Sequence, residues 1–274
     1  MDPYGLRRVV APKGVLPQSA DVLDPSLPTG EDELAIDVEA LNVDAASFRQ
    51  IEGAVGRDAA RIGAEVERIV RARGKLHNSV TGSGGMLIGR VAEVGPRHPA
   101  AGALREGDRV ATLVSLTLTP LTLRRVTAVR PEIDRVECEG RAILFATGLW
   151  ARLPDDLPER LALAALDVCG APALVARHLR PGQRVLVLGA GKSGTLVCAQ
   201  AKDQLAGRGE VVAADRSGEA LAAIAALGVC DRTLALDATD APGSLARVEA
   251  AGGRFDVVVS CATVPGAEMA AILC

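Results

Sequence analysis

Residues 184–201, RVLVLGAGKSGTLVCAQA, constrain this chain more than any other stretch. A near-continuous apolar run, the pattern of a parallel strand buried on both faces, passes directly into a glycine cluster and then into a helical pattern. Gly189, Gly191 and Gly194 stand as G-x-G-x-x-G. The first glycine permits a tight turn and the second lets backbone approach a pyrophosphate. The third lets the helix press against the strand, and the helix N-terminus then faces the anion. Ala190, Lys192 and Ser193 complete the loop, so residues 189–194 together are the expected phosphate cradle. Lys192 precedes the last glycine, which excludes a Walker-type nucleoside triphosphate loop.

Asp215 closes the next strand, 21 positions after Gly194. A carboxylate there accepts both hydroxyls of an adenosine ribose and repels a 2′-phosphate, so NAD is the expected cofactor. Arg216 follows and partly offsets that repulsion, which leaves NADP open. Asp237 and Cys261 follow the third and fourth strand patterns, at carboxyl ends that border the nucleotide crevice of such sheets.

The rest of the chain falls into two textures. From about Pro154 onward, GEVVAADRS, DRTLALDAT and RFDVVVSCAT repeat the buried-strand pattern with helical stretches between them. This is the βαβ rhythm of a doubly wound α/β fold. The stretch before it, PERLALAALDVCGAPALVARHL, reads as a helix in two pieces hinged near Gly170 and Pro172. Residues 33–129 instead alternate as short strands: ELAIDVEAL, MLIGRVAEVG, and EGDRVATLVSLTL after a Gly-Asp turn. One amphipathic helix interrupts them, with Ile62, Val66, Ile69 and Val70 on one face and Gly74 at its end. The expected organisation is a β-rich domain over residues 1–153 and a Rossmann domain over 154–274. The second is expected to be truncated, because four strands are visible where the complete unit has six, and PGAEMAAILC ends the chain.

Composition narrows the function classes. A net charge of −3 gives no reason to expect nucleic acid. No run reaches the roughly 18 apolar residues of a membrane helix, and the N-terminus MDPYGLRRVV lacks a signal-peptide plan. The expectation is a cytoplasmic protein with no membrane partner. The six cysteines are scattered singly, without C-x-x-C pairs or histidines at ligand spacing, so no metal site is expected from them.

A β-rich, GroES-like N-terminal domain followed by a Rossmann domain with this loop resembles the medium-chain dehydrogenase/reductase superfamily, over almost the whole chain. In that family a loop like ALNVDAASFRQ supplies a catalytic zinc ligand, a cysteine, where this chain has Asp44. The next ligands come from a Gly-His-Glu motif before a strand like GGMLIGRVAEVG. Gly85 and Met86 stand in the His and Glu places, and the remaining ligand position falls near Ala164. Neither glycine nor alanine can bind a metal, and one carboxylate cannot hold zinc alone. The resemblance therefore implies a zinc-independent member.

Within the superfamily, VVAPKGVLPQ, LNVDAASFRQIE, TGSGGMLIG and ATLVSLTLTPL resemble a branch that acts in lysine fermentation. That branch carries out NAD-linked oxidative deamination of a small cationic amino acid, and a homo-oligomer is expected. Without zinc, side chains must move the protons. Asp44 or Glu52 is expected to take the proton or pair with an ammonium, with Ser47 assisting by hydrogen bond and His77 available as a proton shuttle. Arg124 or Arg125 would suit the substrate carboxylate, and His98 and His178 read as surface positions. The glycines of Val80–Gly95 are expected to let backbone come close to substrate or nicotinamide. A zinc-independent quinone or enoyl reductase using NADPH, and a non-catalytic dinucleotide-binding protein, are the competing readings.

Overall fold

The computed structural model describes the chain except residues 79–81, 83 and 263. It divides into two compact units, Met1–Glu159 and Arg160–Cys274.

The first unit opens with a short antiparallel pair, β1 (Val9–Ala11) and β2 (Val22–Leu23). A six-stranded antiparallel sheet follows: β3 (Glu33–Asn42), β4 (Met86–Val94), β5 (Arg109–Thr112), β6 (Leu121–Arg130), β7 (Arg135–Phe145) and β8 (Trp150–Arg152). Their order is β6-β7-β3-β4-β5-β8. The inner strand β3 alternates Leu34, Ile36 and Val38 into the core. A register shift between Val38 and Ala40 then changes the parity, so that Leu41 and Val43 enter the same core. The strand thus delivers Asp44 at the point where its apolar alternation stops. β7 lies beyond the stretch read as strands, yet it pairs with β3 along nearly its whole length.

Two helices fill the β3–β4 connection, α1 (Ala45–Val55) and α2 (Ala59–Arg73). α2 is the expected amphipathic helix: Ile62, Val66 and Val70 are buried, and Gly74 ends it at φ 62°. α1 corrects the reading of ALNVDAASFRQ as a loop. Phe48 and Ile51 are buried three residues apart, and Val55 packs beside them. That stripe, with Asp44 capping the first turn, is enough to make a helix. His98 is a second correction: it is buried, its Nδ1 accepts from the Ala100 N–H at 3.0 Å, and burial pushes it below the usual histidine value. His178 is exposed, as expected.

The second unit begins with α3 (Glu159–Leu166) and α4 (Gly170–His178). The break falls at residues 167–169. Pro172 sits inside the first turn of α4, where a missing N–H costs nothing. Four parallel strands follow, β9 (Arg184–Leu188), β10 (Glu210–Asp215), β11 (Arg232–Ala235) and β12 (Val257–Ser260), in the order β11-β10-β9-β12. They alternate with α5 (Lys192–Leu205), α6 (Gly218–Ala226), α7 (Ala241–Ala250) and α8 (Ala267–Leu273). Val185, Val187, Val211 and Ala213 face one core, while Leu186, Leu188, Val212 and Ala214 face another. Cover on both faces is why these strands read as unbroken apolar runs. The strand order reverses between β9 and β12, which is where open α/β sheets bind ligands. Among the described residues no single helix is long and apolar enough to cross a membrane.

Candidate functional site

A cleft of about 450 Å³ opens at the carboxyl ends of β9, β10 and β12. Gly189, Gly191, Lys192, Ser193, Gly194, Asp215, Arg216, Asp237 and Cys261 all line it. Ala190 is buried behind the wall, where its N–H donates to Asp215 Oδ2 at 2.8 Å. The three glycines have different causes. Gly189 turns at φ 101°, and a side chain at Gly194 would place its Cβ 1.8 Å from the Gly189 carbonyl oxygen. Both are demanded by the chain's own packing. Gly191 has an ordinary φ of −79°, and nothing lies within 4 Å of where its Cβ would be. The fold does not need a glycine there, and the open backbone leaves room for close approach by a ligand. The cleft therefore fits a dinucleotide.

Asp215 is pinned between the loop and the next helix, since Oδ1 also accepts from the Ser217 N–H at 2.8 Å. Its oxygens retain acceptor capacity beyond those two bonds. Asp237 accepts from the Thr239 N–H and hydroxyl at 2.9 and 2.7 Å. Those bonds hold its carboxyl below the usual range, and the Arg216 charge adds to the effect. Arg216 lines the same cleft as Asp215 and Asp237. Burial pushes the Cys261 thiol up, and Ser193 Oγ donates to its sulfur at 3.5 Å. Lys192 pairs with Asp167 at 2.9 Å.

The first unit holds a second polar site at the end of β3. Asp44 Oδ1 accepts from the Ala46 and Ser47 N–H groups at 3.1 and 3.0 Å, and Oδ2 accepts from Ser47 Oγ at 2.5 Å. Asp44 and Ser47, two of the expected catalytic residues, are therefore in direct contact. Glu52 lies two turns along α1 and is half-buried. Asp134, which the sequence reading did not single out, joins them from the β6–β7 turn, where its carbonyl accepts from the Val43 N–H at 2.9 Å. Burial raises the Asp134 carboxyl, Glu52 and Asp44 raise it further, and Arg49 opposes them. Asn78 was missed as well, and its amide donates to Ser47 Oγ at 3.2 Å. Nothing in KLHNS distinguishes it by spacing.

His77 is half-buried and shares a hydrogen bond with the Thr117 hydroxyl. Burial, followed by the charges of Lys75 and Arg73, holds it below the usual histidine value. Arg124 and Arg125 share the single carboxylate of Glu139 and both side chains are exposed. The first glycine cluster has packing demands of its own. Val80, Thr81 and Ser83 lie outside the described residues. Gly85, at φ 95°, would place a Cβ 2.1 Å from the Asn42 carbonyl, and Gly84 would place one 2.6 Å from that of Leu76. These two glycines are required by close packing of the chain on itself.

The residues do not fit a catalytic zinc: Gly85 and Ala164 carry no donor atom. Among the described residues no three His, Cys, Asp or Glu side chains gather to hold a metal.

A GroES-like unit and a Rossmann-like unit with this glycine loop define the fold class of medium-chain dehydrogenases/reductases. A solved mycobacterial quinone oxidoreductase shares the fold with a TM-score of 0.54 at 22% identity, over 92% of this chain and 64% of that one. Residues 7–154 match the L-erythro-3,5-diaminohexanoate dehydrogenase N-terminal domain family. An L-erythro-3,5-diaminohexanoate dehydrogenase from Acetoanaerobium sticklandii is 45% identical over 98% of this chain and 79% of its own length. One from Fusobacterium nucleatum matches with the same identity and coverage. The chain belongs to the L-erythro-3,5-diaminohexanoate dehydrogenase family, and its broad class is oxidoreductase.

Proposed function

We propose that the chain oxidises the C3 amine of L-erythro-3,5-diaminohexanoate with NAD, giving 5-amino-3-oxohexanoate and ammonium. The observation that carries this reading is the acidic corner of Asp44, Glu52 and Asp134 in a family named for a substrate with two ammonium groups. Opposite charges complement each other there, and an uncharged quinone would gain nothing from three carboxylates.

NAD, held by the glycine loop and Asp215, would accept the hydride that leaves C3. The chain's own residues handle the rest. Asp44 pairs with the C3 ammonium and receives its proton, while Ser47 holds the carboxylate by hydrogen bond. Glu52 and Asp134 complement the second ammonium. Water then adds to the iminium carbon, and ammonium leaves as the carbonyl forms. One substrate, one NAD and one water give the oxo acid, NADH, ammonium and one proton, which balances.

The test is formation of reduced nicotinamide from NAD and the diamino acid in the presence of a chelator. Turnover is expected to persist. Absence of turnover with NAD still bound would remove the substrate assignment and favour a non-catalytic dinucleotide-binding protein. Asp44→Asn keeps the size and part of the helix cap but removes the charge. It should lower kcat/KM about a hundredfold, the scale of a lost acid–base group; a change under threefold would clear Asp44 of the role.

Asp215→Ser should narrow the preference for NAD over NADP by at least about tenfold, since it removes the acceptor and the repulsive charge together. Steady-state comparison of the two nucleotides reads this directly. An unchanged ratio would place the adenosine ribose elsewhere.

A further inference from the structure

Ser47 and Asn78 are both buried, at 3% and 4% exposure, and their polar groups meet. The Asn78 amide donates to Ser47 Oγ at 3.2 Å, and Ser47 Oγ donates to Asp44 Oδ2 at 2.5 Å. A serine hydroxyl has one proton and two acceptor lone pairs. An N–H donated into its oxygen leaves the proton pointing away, here to Asp44. Donation into the oxygen also strengthens the hydroxyl as a donor, because chained hydrogen bonds polarise one another.

The backbone that supplies Asn78 is itself fixed. Lys75 is fully buried and donates from Nζ to the Pro17 carbonyl at 2.9 Å, and Leu76 is buried after it. The Asn78 carbonyl accepts from the Gly82 N–H at 2.8 Å. A polar side chain on so well-supported a segment is suited to orienting another group.

We propose that Asn78 is a positioning residue for the Asp44 site: by donating to Ser47 it commits the serine proton to Asp44 and holds that carboxylate in one orientation toward the substrate ammonium. The assignment rests on the reading of Asp44 given above. Asn78 is assigned no contact with substrate; its effect on Asp44 is carried by the bond to Ser47.

The test is steady-state kinetics of the diamino acid oxidation for Asn78→Ala, Asn78→Asp, Ser47→Ala and the double variant Ser47→Ala/Asn78→Ala. Asn78→Ala should lower kcat roughly tenfold, the scale of one lost hydrogen bond, with KM for NAD within about twofold of wild type. Asn78→Asp keeps the side-chain volume but offers only acceptors, so it competes with Asp44 for the serine proton and should be at least as slow. Since Asn78 works through Ser47, the double variant should be no slower than Ser47→Ala within about twofold. Losses that add in the double variant, or full activity in Asn78→Asp, would overturn the positioning role while leaving Asp44 in place. A wild-type enzyme that fails to oxidise the diamino acid would reject the reading of Asp44 and this assignment with it.

Discussion

Glu33→Gln should destabilise the first unit by about 3–5 kcal/mol at neutral pH, the cost of breaking a buried ion pair by removing one partner. Glu33 opens β3 and is 1% exposed, against an Arg8 side chain at 0%. Arg8 donates from Nε and Nη2 to the two carboxylate oxygens at 2.7 and 2.6 Å. Arg7 and the Gly30 N–H donate to the same carboxylate. The remaining Arg8 donors reach the carbonyls of Asp24, Leu27 and Pro28. Glutamine keeps the shape but removes the charge, so Arg8 stays buried without its counter-ion.

Burial by itself would raise the Glu33 carboxyl, but the hydrogen bonds from Arg8, Arg7 and Gly30 outweigh it and lower it from 4.5 to about 2. A difference of that size corresponds to about 3 kcal/mol. Because the folded value lies below the unfolded one, the contribution is fully present above pH 4.5. It is lost as pH falls from there toward 2. Wild type and Glu33→Gln should therefore differ most near pH 7 and converge in acid. Trp150, the single tryptophan, packs against the first unit's core and reports its unfolding in urea. A difference below about 1 kcal/mol at pH 7 would show that the pair is dispensable. The double variant Arg8→Met/Glu33→Leu removes both charges but also leaves the Asp24, Leu27 and Pro28 carbonyls without Arg8, so it should recover only part of the loss.

Why Glu33 escaped notice in the sequence is a physical matter. Its partners come from residues 7 and 8, joined to it only by the path of the N-terminal segment across the sheet. The loop at Gly189–Gly194 was legible because its logic is local: a strand, a turn and a helix cap contiguous in the chain. Asp215 was legible too, since a fixed spacing places it at the end of the adjacent strand. The Asp44 site is the opposite case. Asp44 and Ser47 share one helical turn and could be paired from sequence, but Asn78 and Asp134 reach them from distant segments. Mistaking α1 for a loop had a cause of the same kind. Its apolar stripe is only Phe48, Ile51 and Val55, too short to declare a period until the β3 core is there to receive it. At Gly84 and Gly85, φ and close packing leave the same mark in sequence as a ligand does.

That ambiguity has a direct experimental resolution in the second unit, where Gly191→Ala and Gly194→Ala should fail in different ways. At Gly194 the added methyl meets the Gly189 carbonyl oxygen at 1.8 Å and its carbon at 2.9 Å. Both are backbone atoms that cannot rotate aside, so α5 must move off β9. Forcing one methyl group into a packed site costs about 1–3 kcal/mol, and here the turn itself is displaced. Gly194→Ala should therefore lower the thermal stability of the second unit and abolish NAD binding with it. At Gly191 the new methyl meets no protein atom within 4 Å, and φ of −79° suits alanine. The apoprotein should keep its melting temperature, if anything slightly raised by the loss of chain entropy in the unfolded state. Its affinity for NAD, followed by calorimetry, should nevertheless fall at least about tenfold, since the methyl occupies the place where backbone approaches the pyrophosphate. A Gly191→Ala protein that binds NAD as tightly as wild type would mean that the cleft at β9 does not hold the dinucleotide against this loop. Loss of binding with stability intact would isolate the ligand as the reason for a glycine that the fold itself does not require.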